Sequence, residues 1–187
     1  MPAESPPRFC RFRSDAPAGS RAYSQLPDDG FCISVFLLLR SSTDAVDVLA
    51  GRIDPARDWE RIGGLPAERA KSAAAGWMLP SRHLQLFEGP EEAARTILRE
   101  QLELDPLALR GPRVISETYD REASSHDPHW DLHLLFEGTW PSGRPLRASP
   151  WDHLEFVDLR RTPPTAFVRG HGDILAFAGT PSQGRPS

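Results

Sequence analysis

A short polar cluster, His126-x-x-His129-x-Asp131-x-His133, carries side chains suited to metal binding or acid–base chemistry. On a β-strand, residues 129, 131 and 133 share one face because successive side chains alternate. Two imidazoles and a carboxylate on one face can ligate Zn²⁺ or an iron-type ion, or transfer protons near neutral pH. Residues two apart on a strand are ~6–7 Å apart, which is stretched for three ligands of one ion. A metal site, a ligand contact and a purely polar sheet face all stay open.

A second set of candidates lies on or beside a predicted helix. Gly89-Pro90-Glu91-Glu92 is a typical helix start, since proline suits the first helical position and acids in the first turn complement the dipole. Apolar residues then recur on one face as far as Leu102. Glu100 and Gln101 lie near the end of this helix and Glu88 lies just before it. The helix therefore determines where these three side chains point.

Strands on both sides of the helix are predicted to hold it in place. The continuous apolar run Phe31–Leu39 follows a turn signal and predicts a buried central strand. Val46–Ala50 alternates in polarity and is predicted to pair with that strand as a hairpin. The remaining predicted elements are strands at Arg113–Tyr119, His129–Glu137 and Leu154–Leu159 and a closing helix at Phe167–Ala178. This order predicts an α/β (α+β) sandwich with a mixed β-sheet between helices.

The chain length of 187 residues suits a single domain, predicted at residues 21–178. Residues 1–20 lack periodicity and are predicted to form a flexible N-terminal arm, and residues 179–187 a disordered tail. Residues 51–76 contain Gly63-Gly64 and Pro66, which predict an irregular segment with short helices. Ordered segments of this kind are often binding loops, and a surface excursion anchored by Trp59 is the alternative.

Composition and charge argue against several partners. A net charge of −4 offers no basic face for nucleic acid. The N-terminus has no apolar signal-peptide core, and the apolar run Phe31–Leu39 is far shorter than the ~20 residues that span a bilayer. Two cysteines are too few for a disulfide framework. We therefore expect a cytoplasmic protein with reduced thiols and no nucleic-acid or membrane partner.

The segment LPSRHLQLFEGPEEAARTILREQLELD, residues 79–105, resembles the Nudix box of the Nudix (MutT-like) hydrolase superfamily. The family pattern is Gly, five residues, Glu, seven residues, then Arg-Glu-hydrophobic-x-Glu-Glu-x-Gly-hydrophobic, and it aligns here without a gap. Four of its nine defined positions match: Glu88, Leu98, Glu100 and Leu104. Leu79-Pro80 also stands where the family has Leu-Pro. The resemblance implies a Nudix-like sandwich and hydrolysis of a phosphoanhydride.

Departures from the pattern change the metal chemistry that the resemblance implies. In the family, carboxylates at helix positions i, i+3 and i+4 hold Mg²⁺ ions that bridge the diphosphate and activate water. In this chain those positions are Ile97, Glu100 and Gln101. Because Mg²⁺ prefers charged oxygens, we expect Mg²⁺ or Mn²⁺ to bind weakly, helped only by substrate phosphates. Glu100 is then the metal and catalytic candidate, and Glu88 is a second catalytic candidate that orients metal or water.

Residues within and before the box are candidates for ligand binding. Arg82 stands where the family has glycine, and it either reaches an anion through its guanidinium or is a solvated loop side chain. Phe87 replaces another glycine and is expected to pack inward. Trp77 precedes the box and is expected to stack on a planar group. The other candidate ligand-binding residues are His83, His129 and Asp131.

These features support hypotheses from different classes. The first is a Nudix-type hydrolase with an atypical site, acting on a nucleoside-diphosphate-linked or other phosphoanhydride substrate. The second is a non-catalytic Nudix-like module that binds a ligand or a protein partner. A third is an enzyme that uses the His/Asp cluster for different chemistry. We expect a small phosphorylated ligand as partner, and the sequence leaves a homodimer open.

Overall fold

A computed structural model of the chain describes residues 31–85, 87–104, 106–119 and 129–179. The predicted arm at 1–20 and the predicted tail, apart from Gly179, lie outside the described residues. In chain order the elements are β1 Phe31–Arg40, β2 Asp47–Ile53, α1 Trp59–Gly63, α2 Ala67–Ala73, β3 Ser81–His83, α3 Pro90–Leu102, β4 Arg110–Tyr119, β5 His129–Thr139, β6 Trp151–Asp158, a 3₁₀ helix Pro164–Ala166 and α4 His171–Gly179.

The apolar run predicted as a central strand is β1. It pairs antiparallel with β3 and parallel with β5, in a four-stranded mixed sheet of order β3-β1-β5-β4. Both faces of β1 are buried: Val35, Leu37 and Leu39 contribute to one apolar cluster and Phe36 and Leu38 to another. A strand buried on both faces has no solvent-exposed face on which polar residues would alternate with apolar ones, which explains the continuous apolar run.

The predicted hairpin between the first two strands is wrong. β2 pairs antiparallel with β6 over Asp47–Ile53, in a separate two-stranded sheet. The hydrogen-bonding edges of β1 are already occupied by β3 and β5. The turn between β1 and β2 is held by Asp47, whose carboxylate accepts hydrogen bonds from the Ser41 backbone N–H at 3.0 Å and the Ser41 hydroxyl at 2.6 Å. This connection carries the chain into the second sheet.

The helix predicted from Gly-Pro-Glu-Glu is confirmed as α3, which we call the box helix. Pro90 is its first residue, and Glu103 ends it in the left-handed region with φ 49°. The buried residues include Ala93, Ala94, Ile97, Leu98 and Leu102. They pack into the cluster that contains Val35, Leu37 and Leu39 of β1, so the sheet and the box helix share one core.

The closing helix begins later than predicted. α4 starts at His171, because Arg169 (φ 58°) and Gly170 (φ 72°) are both left-handed and interrupt a right-handed helix. Phe167 instead forms a parallel bridge with Trp77. Ile174 and Leu175 of α4 pack with Phe36 and Leu38.

The predicted fold class is confirmed: helices pack on a mixed sheet in an α/β sandwich. The two apolar clusters lie on opposite faces of β1, one with the box helix and one with α4. No helix in the described ranges has the length and apolar character needed to cross a membrane.

Candidate functional site

The box helix turns two of its three candidate metal positions into the protein interior. Ile97 is fully buried in the core shared with β1. Gln101 is also fully buried, and its amide oxygen accepts a hydrogen bond from the Ser81 N–H at 3.2 Å. Its amide nitrogen donates to the Ser81 carbonyl at 2.7 Å and to the Ile62 carbonyl at 3.4 Å. Gln101 therefore ties β3 and α1 to the box helix.

Glu100, the third position, is paired with cations. Its carboxylate lies 3.2 Å from the Arg61 guanidinium and 3.6 Å from that of Arg99. Its side chain is 28% exposed, so these surface ion pairs add little stability. They do reduce the negative charge that a divalent cation would meet. An aliphatic residue, an amide with both ends engaged and a neutralised carboxylate do not fit the Mg²⁺ or Mn²⁺ site that the resemblance implies.

Arg82 of β3 and Glu88 of the turn before the box helix form an ion pair that is largely shielded from solvent. Arg82 is 6% exposed and pairs in register with Val35, so the interpretation of a solvated loop arginine is wrong. Its Nη1 lies 3.7 Å from Oε1 of Glu88, whose other oxygen accepts from the Gln85 N–H at 3.0 Å. Arg82 Nε is buried and has no hydrogen-bond partner among the described residues. Glu88 therefore both compensates a buried cation and fixes the turn.

Phe87 does not pack inward as expected. It is fully exposed, and its backbone is left-handed with φ 66°. Glycine, which the family pattern has at this position, can adopt such a backbone without a Cβ penalty. In this chain phenylalanine adopts it and turns its ring to solvent.

A pocket opens at one end of the sheet, between β1, the α1–α2 segment and the residues before α4. Its cavity volume is about 60 Å³, room for a few water molecules or one small polar group, and it is open to solvent at its mouth. Its polar lining comes from distant parts of the chain: Cys32, Ser34, Arg69, Ser81, Arg82, His83, Asp131, Arg169 and His171. Trp59 and Trp151, packed edge to face, complete the wall with their apolar surfaces.

Burial determines the protonation of the pocket's histidines. It lowers the pKa of His171 from 6.5 to about 3, with the charges of Arg169 and His133 acting in the same direction. The neutral ring accepts the Leu79 N–H on Nδ1 at 2.9 Å. Burial followed by the charge of Arg169 also lowers the pKa of His83. At neutral pH both imidazoles are therefore uncharged.

Cys32 lies beside Asp131 on the neighbouring parallel strand, where the two residues are register partners. Burial raises the pKa of the Cys32 thiol, and the nearby Asp131 charge and hydrogen bond raise it further. The arginines Arg69 and Arg169 oppose this shift. The thiol is therefore protonated at neutral pH and acts as a donor to the carboxylate.

Comparison with known proteins decides the fold. No family model matches the sequence, and no curated protein matches it significantly. Among solved structures, a Nudix hydrolase from Nitrosomonas europaea aligns at a TM-score of 0.51 and 13% identity, over 87% of this chain and 76% of that one. The Nudix domain of Shewanella oneidensis NrtR aligns at 0.50 and 12%, over 83% and 86%. E. coli dihydroneopterin triphosphate pyrophosphohydrolase aligns at 0.52 and 12%, over 78% and 92%.

The chain has the Nudix fold. At these identities the likeness extends to architecture alone. Within that architecture the box helix lies behind one wall of the pocket, because Ser81 and Gly63 line the pocket and lie against the Gln101 amide. Gln101, at a position where the Nudix pattern has a metal-binding acid, thus supports the pocket wall from behind.

The predicted His/Asp cluster is only partly described. His126 and the side chain of His129 lie outside the described residues. Asp131 lines the pocket, whereas His133 is buried with its ring edge-on to Phe36 at 5.0 Å. Among the residues that the structure describes, no three His, Cys, Asp or Glu side chains are grouped as a metal site.

The predicted ligand contacts separate into two groups. Arg82, His83 and Asp131 belong to the pocket lining. Trp77 is not among the lining residues, and its ring is covered by the Arg52 guanidinium at 4.9 Å from the ring centroid. Sequence reasoning missed Cys32, Arg69 and Arg169, which come from β1, from α2 and from the turn before α4. Of the three, only Arg169 had a local signal in the sequence, which is the glycine that follows it within a predicted helix.

Proposed function

We propose that this protein is a Nudix-fold module that binds a small phosphorylated molecule and does not hydrolyse it through a metal ion at the box. The observation that carries the proposal is Gln101, whose amide is used at both ends to hold backbone groups of β3 and α1. A buried amide with satisfied donors and acceptor is a structural cross-link, and releasing it for a cation would leave those backbone groups unpaired.

The pocket supports the choice of ligand. Its arginines suit phosphate oxygens, and Asp131 suits the hydroxyl groups of a sugar. The Nudix domain of the Shewanella protein was crystallised with ADP ribose, which combines those two chemistries. We extend this ligand class to the present chain as part of the proposal. The cytoplasmic location expected from the sequence agrees with a metabolite ligand of this kind.

The experiment measures binding and turnover on the same protein. Thermal unfolding is recorded with ADP ribose in EDTA and again in Mg²⁺ or Mn²⁺. Product formation from a panel of nucleoside-diphosphate derivatives is followed in parallel, with Glu100→Gln as the matched control. We expect stabilisation by ligand in EDTA and no turnover above that of Glu100→Gln. Turnover with Mg²⁺ or Mn²⁺ that Glu100→Gln abolishes would establish the atypical hydrolase instead and overturn this proposal.

A further inference from the structure

Strand β4 lies at one edge of the four-stranded sheet. It pairs antiparallel with β5, and among the described residues no other strand pairs with it. The opposite edge strand, β3, has only three residues, whereas β4 has ten. Pro112 and a register irregularity between Arg110 and Arg113 affect the start of β4, so the regular part of this edge is the seven residues 113–119. A strand edge of this length is a template for pairing with another strand.

Exposed apolar side chains flank this edge on both faces of the sheet. Val114 is 55% exposed and Phe177 is 47% exposed, two of the four large apolar side chains that are exposed in the described part of the chain. Val114 is the register partner of Leu134, on the face that packs against the box helix. Phe177 belongs to α4 on the other face, and the Arg113 guanidinium lies 5.4 Å from its ring centroid. A strand added at this edge would cover both side chains.

The charges along β4 complement those of a second β4 that runs in the opposite direction. At the start of the strand Arg110 and Arg113 share one carboxylate, that of Glu137, at 3.6 Å and 3.3 Å, so two cations meet one acid there. Further along, the strand carries Glu117. Antiparallel pairing of two copies about Ile115 places Arg113 of each copy directly opposite Glu117 of the other. Opposite charges at directly opposed positions stabilise a pair of strands.

We propose that two copies of this protein associate through β4, which joins their four-stranded sheets into one antiparallel-paired sheet across a two-fold axis at Ile115. The same surface of each copy meets its equivalent, so the Arg113–Glu117 pair occurs twice and both copies cover their Val114. Glu117 is the register partner of Asp131, which lines the pocket, so the contact between the copies lies one strand away from the pocket. This association is independent of the proposed ligand binding.

The test is sedimentation velocity of the full chain over a concentration series up to its solubility limit. We expect a reversible equilibrium between monomer and dimer. Val114→Lys places a cation on each copy at the paired edge and should raise the Kd of the dimer by about tenfold or more, because the two-fold axis makes each substitution count twice. The matched control is Val46→Lys, which introduces the same charge at an exposed valine between β1 and β2 and should leave the Kd unchanged.

A charge exchange tests the register of the pairing. Glu117→Arg places two arginines opposite each other at two positions and should weaken the dimer by a similar factor. Combining it with Arg113→Glu restores opposite charges across the axis and should return the Kd towards that of the wild type. Circular dichroism establishes that each variant is folded, and Val114→Lys tests the same edge without altering the ion pair between Arg113 and Glu137.

Several results would overturn the proposal. One is a wild type that stays monomeric throughout the series, including the case in which hydrogen exchange finds residues 113–119 protected in the monomer by another segment of the same chain. Another is a dimer that Val114→Lys and Val46→Lys weaken equally. A dimer whose Kd does not respond to Glu117→Arg would show that the copies associate in a different register or through a different surface.

Discussion

Restoring the family acid at position 101 tests whether the box helix has become structural. Gln101 donates to two backbone carbonyls, at 2.7 Å and 3.4 Å, from a fully buried amide. In Gln101→Glu both donors disappear, and an ionised carboxylate would face carbonyl oxygens without water. The least costly state is the protonated acid, whose O–H can donate to Ser81 while its carbonyl accepts from the Ser81 N–H.

The cost follows from protonating a carboxyl group that is ionised in the unfolded chain. At pH 7 this amounts to about 4 kcal/mol and at pH 5 to about 1 kcal/mol. The lost hydrogen bond to Ile62 adds about 1 kcal/mol at either pH. Because the introduced carboxyl takes up a proton on folding, the variant recovers stability as the pH falls. We therefore expect Gln101→Glu to be destabilised by about 5 kcal/mol at pH 7 and about 2 kcal/mol at pH 5.

Urea unfolding at both pH values, each referred to wild type at the same pH, measures this difference. Gln101→Met is the control, since it fills a similar volume without a titrating group and its loss of stability should not depend on pH. A Gln101→Glu variant as stable as wild type at pH 7, and further stabilised by Mg²⁺, would refute the account of the box helix as a structural element.

Three other outcomes are expected. Between pH 7.5 and 5.5 the free energy of unfolding of the wild type should fall by about 1.4 kcal/mol more than that of His171→Gln, because the pKa of His171 is about 3 in the folded protein and protons therefore favour the unfolded chain. Urea unfolding at both pH values tests this, and the same pH dependence in the two proteins would contradict it. In a Cys10→Ser background, Cys32 should react with iodoacetamide at pH 7.5 more slowly than free cysteine, because burial and the Asp131 charge raise the pKa of its thiol. Asp131→Asn should speed the reaction, and an unchanged rate would show that Asp131 does not contribute to the raised pKa. Phe87→Gly should stabilise the protein by up to about 1 kcal/mol, because glycine adopts the left-handed backbone at position 87 without strain, whereas Phe87→Ala should not stabilise it. Equal changes in the free energy of unfolding for the two variants would contradict this.

The sequence predicted those elements whose signals are local. The apolar run of β1 reflects burial on both faces, and Gly89-Pro90 before a run of helix formers marks the start of the box helix. The pairing of β2 could not be predicted in the same way. Its partner β6 lies about a hundred residues away, and the alternating pattern of a strand does not say which edge it will meet.

The sequence predicted only part of the candidate site, because the rest depends on which distant segments the fold brings together. Arg82 was found because the box alignment singled out its position, but its burial depends on the pairing of β3 with β1. Arg69 and Arg169 lie a hundred residues apart, and only the fold brings them to one pocket. The reduced metal face could be identified from residue types alone, whereas the use of Gln101 as a cross-link depended on the carbonyls around it.

The most direct test of the central claim is Mn²⁺ binding followed by electron paramagnetic resonance, with and without ADP ribose. Ligand phosphates are included because they can supply the oxygens that the protein lacks. We predict that neither the wild type nor Glu100→Gln binds a stoichiometric Mn²⁺, and that the two give the same spectra with ligand present. One Mn²⁺ per chain in the wild type, lost in Glu100→Gln, would show that the box of this Nudix fold still holds a metal and would contradict the account.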